Sequence, residues 1–122
     1  MPFIGIALAI FILSHQSKLP YISVGIEYED KIKHFIAFFT LGISFLFAAL
    51  NTTKLSITKI IILNFIICSI YGGLDEYHQT FILGREADIL DWVADSVGVI
   101  VSCLFIPMLK KRIIKRKRVL KK

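Results

Sequence analysis

Three stretches of this chain, Ile32 to Leu50, Ile57 to Leu74 and Ile89 to Leu109, are predominantly apolar. Each comes close to the roughly 20 residues that a helix needs to cross about 30 Å of hydrocarbon. Backbone in lipid must satisfy its own hydrogen bonds, so each run is expected to be helical. The chain is 56% hydrophobic and its mean hydropathy is +0.71, which excludes an ordinary water-soluble domain. A fourth run, Phe3 to Leu13, reaches only about 16 Å as a helix. It has no basic residue ahead of it and no small-residue cleavage pattern behind it, so a cleaved signal peptide is not expected. A tilted or re-entrant first helix, or a start codon placed too late, accounts for its shortness. The expected fold is all-α, a four-helix transmembrane bundle over residues 1–109 followed by a polybasic tail, 110–122.

Charge is segregated along the chain. Lys54 and Lys59 fall at the second connection, and the tail carries Lys110, Lys111, Arg112, Lys115, Arg116, Lys117, Arg118, Lys121 and Lys122, with no acid among them. Lys18, Lys31, Lys33 and Arg85 share the other side with all nine acids: Glu27, Glu29, Asp30, Asp75, Glu76, Glu86, Asp88, Asp91 and Asp95. The positive-inside rule then places the tail, the second connection and the N-terminus in the cytoplasm, with segments 14–31 and 75–88 outward. A basic run directly after an apolar helix reads as an anchor on anionic lipid rather than a nucleic-acid arm.

No metal, phosphate-loop, dinucleotide or nucleophile-elbow motif is present, and no cofactor is implied. Cys68 and Cys103 lie inside apolar runs, where packing is expected rather than a disulfide. Gly72, Gly73 and Gly98 are expected to permit close helix contact. Tyr71, Tyr77 and Trp92 fit an aromatic belt, and His15 and His78 are read as interfacial, without a role.

The informative residues are acids placed where outward segments meet helices. Asp30 and His34 are four apart at the start of the second helix. Asp75, Glu76 and Gln79 lie at the end of the third. Asp88, Asp91, Asp95, Gly98 and Ser102 fall within an arc of roughly 80° on the fourth. Carboxylates at an apolar boundary are costly unless they face one another, cations or water, so a polar pocket opening outward is expected, with Lys31, Lys33, Arg85 and protonated His34 as its cations. The plainer reading makes Asp30 and Asp88 helix N-caps.

Asp30-Lys31-Ile32-Lys33-His34-Phe35, then Asp75-Glu76-Tyr77-His78-Gln79-Thr80-Phe81, then Gly84-Arg85-Glu86-Ala87-Asp88 with Asp91 and Ala94-Asp95-Ser96-Val97-Gly98, resemble the VanZ-like family of small bacterial membrane proteins. That pattern runs DKxxHF, a short stretch with E and Q, a glycine or proline before R, an acid and D, and an N or D three residues before G. The resemblance covers residues 30–98. It implies a four-helix membrane protein associated with teicoplanin resistance and names no reaction. It picks out Asp30, Lys31, His34, Glu76, Gln79, Arg85, Asp88, Asp91 and Asp95. The family's fuller first helix is the point of departure.

Three functions are compatible with such a pocket. An enzyme acting on a lipid-linked or polyprenyl-phosphate envelope intermediate would hold the anion with Arg85, Lys31 and Lys33 and move protons through Glu76, His34 and Asp88 or Asp91. A binding protein would hold a lipid headgroup, peptide stem or glycopeptide with Asp30, Lys31, Gln79, Arg85 and Asp95. A structural cluster would lock the bundle through charge neutralisation. A metal on His34, Glu76, Asp88 and Asp91 matches no familiar spacing and is opposed by the nearby cations. Transport would need a second chain, since the acids gather at one face; a homo-oligomer is compatible with the pattern.

Overall fold

The computed structural model describes residues 2–16 and 29–121. Lys18, Glu27 and Lys122, counted among the charges above, lie outside the described residues. Helix α1 runs Pro2–Ser14, α2 Glu29–Thr52, α3 Ile57–Gln79, α4 Ile89–Ser102 and α5 Ile106–Val119. Among the described residues there is no strand. Three rods, α2, α3 and the continuous run Ile89–Val119, are long and apolar enough to cross a membrane, whereas α1 has 13 residues. The chain is a four-helix, all-α membrane protein, as its apolar runs require.

The last of these rods is divided. A 3-10 turn, Cys103–Phe105, separates α4 from α5, and Pro107 sits in the first turn of α5. Proline has no N–H to give the carbonyl four residues back, and its ring crowds that carbonyl, so the turn tightens just ahead of it. Beyond the turn the chain stays helical to Val119. Leu109 and Ile113 are buried, with Leu109 packing beside Leu46, Ala49, Ile60 and Ile106. The first part of the basic tail is thus a helix with one buried side.

Close contact between α2 and α4 follows from two glycines. A Cβ on Gly98 would stand 2.5 Å from the Phe35 carbonyl oxygen and 2.9 Å from the Phe39 nitrogen, and one on Gly42 would stand 2.5 Å from Ser102 Oγ. Small residues let helix backbones approach where water supplies no driving force. Phe38, Leu41, Cys68 and Val99 are buried together at this contact, with Ile10 of α1 against them. Both cysteines are free thiols. Cys68 donates to Asn64 Oδ1 and Asn64 donates to Ser102 Oγ, a buried link between α3 and α4. Outward, Ile36, Ile66, Ile70, Leu74, Val97 and Ile100 are exposed, as lipid-facing positions would be.

The termini of the rods sort the charges. The start of α2, the end of α3 and the start of α4 meet at one end of the bundle, while the basic run of α5 lies at the other. α1 covers only the first of these ends. Phe3 stacks edge-on against Phe45 in the middle of α2, Tyr71 donates to the Ala7 carbonyl, and Ser14 reaches Asp75 near the end of α3.

Candidate functional site

Asp88 caps α4: its side chain accepts from Leu90 N–H at 2.8 Å. That anchors the stripe behind it, so Asp91, Asp95, Gly98 and Ser102 all turn inward and are buried. Asp30 is not a cap. Helix α2 starts at Glu29, which sets Asp30 in the first turn, where the helix dipole favours an acid.

His34 is the hub. Its Nδ1 lies 2.9 Å from Asp95 Oδ1, and its Nε2 is 3.7 Å from both Glu76 Oε1 and Asp91 Oδ2. Glu76 uses its other oxygen to accept from the Asp88 backbone N–H at 2.9 Å, tying the end of α3 to the start of α4. Lys31 bridges Asp88 at 3.0 Å and Asp91 at 3.3 Å. Lys33 pairs with Glu29 at 2.7 Å. Asp95 is completely buried, and its Oδ2 and Glu76 Oε1 have no hydrogen-bond partner among the described residues. Gly72 leaves room for Asp95, since a Cβ there would stand 2.9 Å from Oδ2. Four carboxylates, those of Glu76, Asp88, Asp91 and Asp95, thus share Lys31 and His34 as their paired cations.

A second polar group adjoins the first. Asp75 accepts from Ser14 on one oxygen and from Gln79 Nε2, at 3.1 Å, on the other. Between α1 and this face lies a cavity of about 550 Å³. Ile10, Leu13, Ile36, Ala37 and Phe38 make its apolar wall; Asp30, Lys33, His34, Asp75, Gln79, Arg85 and Asp91 face it from elsewhere. Arg85, half-buried, has no ion-pair partner among the described residues, and its Nε is buried without an acceptor.

Of the sequence-chosen residues, His34, Glu76, Asp88, Asp91, Asp95 and Lys31 form one connected cluster, whereas Asp30, Gln79 and Arg85 stand around the cavity beside it. Asp75 completes the second group, and its four-residue spacing from Gln79 was the available signal. Ser14 gave none. His15 Nδ1 and His78 Nε2 lie 3.1 Å apart and stack with Phe11. Trp92, read as a belt residue, donates to the Ser69 carbonyl at 3.0 Å.

At the mouth of the cluster, the Lys31 ammonium, and after it the Leu90 N–H, hold the Asp88 carboxyl below the ordinary carboxylate range. A folded-state pKa so depressed contributes stability above the ordinary value, and that contribution is lost as pH falls through the lowered one. Asp88→Asn keeps a capping oxygen but not the charge. It is expected to be slightly less stable than the parent at neutral pH and to match it in strong acid, read by thermal unfolding in detergent.

A family profile described as VanZ/LLP1 matches residues 2–110. The chain belongs to the VanZ/LLP1 family. The match takes in α1 as well as the three blocks around the cluster, so the short first helix is part of the VanZ/LLP1 unit. The uncharacterized protein C11E3.10 of the fission yeast Schizosaccharomyces pombe is similar, 32% identical over 85 residues that make up 69% of this chain and 50% of that protein. The chain spans about half the length of that curated relative. No solved structure matches.

Proposed function

We propose that this VanZ/LLP1 protein binds the anionic headgroup of a lipid-linked ligand. It would sit in the cytoplasmic (inner) membrane as a multi-pass protein with both termini inside, its cavity opening on the outer side. The cavity carries the reading: its lining joins apolar Ile10, Leu13, Ile36, Ala37 and Phe38 to the cations Arg85 and Lys33, and Ile36 is also exposed on the outside of the bundle. An amphiphile has that same division. Arg85 is the cation to expect on a phosphate, because its planar fork suits two oxygens at once. A relative in a fission yeast favours a phosphate-bearing lipid, common to membranes generally, over a ligand confined to bacterial walls. Glycopeptide (teicoplanin) resistance would follow if the captured ligand were an envelope intermediate.

Binding of a polyprenyl phosphate or an anionic phospholipid to the detergent-solubilised protein, followed by native mass spectrometry, tests this. Arg85→Gln is expected to weaken binding about ten-fold or more, the loss of one charge-assisted contact, at unchanged membrane abundance. Equal binding by parent and variant would end the proposal. In a sensitive host, teicoplanin protection by the parent and its loss in an equally abundant Glu76→Gln protein would extend it to resistance. The dense pairing of Lys31 with Asp88 and Asp91 favours a second, purely structural reading. On that reading Lys31→Gln or Glu76→Gln would lower abundance with no separate effect on binding.

A further inference from the structure

We infer that His34 Nε2 and the carboxylates of Glu76 and Asp91, with Asp95 holding the imidazole from its other nitrogen, form a site for one divalent transition-metal ion, of the Mn(II) or Zn(II) kind. This does not depend on what occupies the cavity. Ligand atoms from His34, Glu76 and Asp95 all lie within 4.8 Å of one another. The separations of 3.7 Å from His34 Nε2 to Glu76 Oε1 and Asp91 Oδ2 are too long for hydrogen bonds. They are close to the spacing of atoms that share one ion at roughly 2.0–2.2 Å.

The rest of the arrangement serves such an ion. Asp95 Oδ1 accepts from His34 Nδ1 at 2.9 Å, which leaves the lone pair on Nε2, the nitrogen that faces the two carboxylates. Orientation of a metal-binding imidazole by a carboxylate on its other nitrogen is the usual supporting contact. Glu76 Oε1 is buried without any donor among the described residues, on a residue only 6% exposed. Oxygens in that position are costly unless something supplies positive charge. Lys31 engages Asp91 through Oδ1 and leaves Oδ2 to the histidine side. With His34 neutral, Lys31 is the paired cation left to the four carboxylates, and a divalent ion would offset the excess of negative charge. His34 and Asp91 line the cavity, which provides an entry path. One imidazole with carboxylates and no thiolate suits Mn(II) or Zn(II) better than a soft metal.

The His15 and His78 pair is the obvious competitor, and it makes the test sharp, because the chain has three histidines in all. The full chain is purified in detergent, stripped with chelator and dialysed against Mn(II) or Zn(II). The parent and a His15→Ala/His78→Ala variant, in which His34 is the sole imidazole, are expected to hold about one ion each. Bound Mn(II) should show nitrogen coupling by electron spin echo in both. Glu76→Gln and His34→Gln should weaken binding about ten-fold or more, with His34→Gln losing the nitrogen signal. The two arms tell Mn(II) from Zn(II). Failure of the parent to retain either ion overturns the inference, and so does loss of the ion or its nitrogen signal in the His15→Ala/His78→Ala variant. Those two proteins leave the site intact, so the outcome stands even if a site variant misfolds.

Discussion

Gly98→Ala should destabilise the bundle by about 1–3 kcal/mol, and Gly98→Val should keep it from accumulating in the membrane at all. The added Cβ would stand 2.5 Å from the Phe35 carbonyl oxygen and 2.9 Å from the Phe39 nitrogen. Both are backbone atoms of α2, so no side chain can turn aside to relieve the contact; the helices must separate. Separation would cost more than local packing. His34 rides on α2 and Asp91 and Asp95 on α4, so the distances within the acidic cluster depend on this crossing. Gly5→Ala provides the contrast. Among the described residues nothing lies within 4 Å of a Cβ there, and replacing glycine by alanine in a helix is favourable by up to about 1 kcal/mol. Thermal unfolding of the three detergent-extracted proteins, with membrane abundance for the valine variant, measures the difference. Equal stability of Gly98→Ala and Gly5→Ala would refute the close crossing.

The α2–α4 contact also shows what the sequence could and could not disclose. Helical periodicity alone places Asp91, Asp95, Gly98 and Ser102 on one face of α4, and the cost of charge in lipid turns that face inward. Both hold in the structure. The three polar blocks likewise had to meet, because the lengths of the apolar runs bring the ends of α2, α3 and α4 to one side. Periodicity does not say which neighbour a face will meet. His34 could not be assigned to Asp95, 61 residues away, nor Ser14 to Asp75, also 61 away, from either residue's own helix. The same limit hid the His15–His78 contact and the role of α1 as one wall of the cavity. The break ahead of α5 had a local cause in Pro107. Composition masked it, since the residues on both sides are equally apolar. The helical state of the basic run was hidden for a related reason: Leu109 and Ile113 are spaced to share one face, but the surrounding cations dominate any reading of the segment.

His34→Leu, in metal-free buffer, should cost about 3–5 kcal/mol, the usual penalty for removing one member of a buried charged pair. The imidazole stands between Asp95 at 2.9 Å and Glu76 and Asp91 at 3.7 Å, and its removal leaves Asp95, completely buried, without the contact it makes to a cation. Asp95→Leu should cost a comparable amount, since it leaves the imidazole Nδ1 without its acceptor. Combining the two changes is the decisive step. A buried pair replaced by apolar residues of similar volume is often neutral or stabilising. Lys31 remains to neutralise Asp91 in every variant. The double variant is therefore expected to be more stable than either single one, with a coupling well above the roughly 0.5 kcal/mol typical of independent sites. Thermal unfolding of the four proteins closes the cycle. A double variant as unstable as the sum of its parts would mean that His34 and Asp95 do not act as a pair. Recovery of stability without recovery of ligand or metal binding would separate what the pair does for the fold from what the site is for.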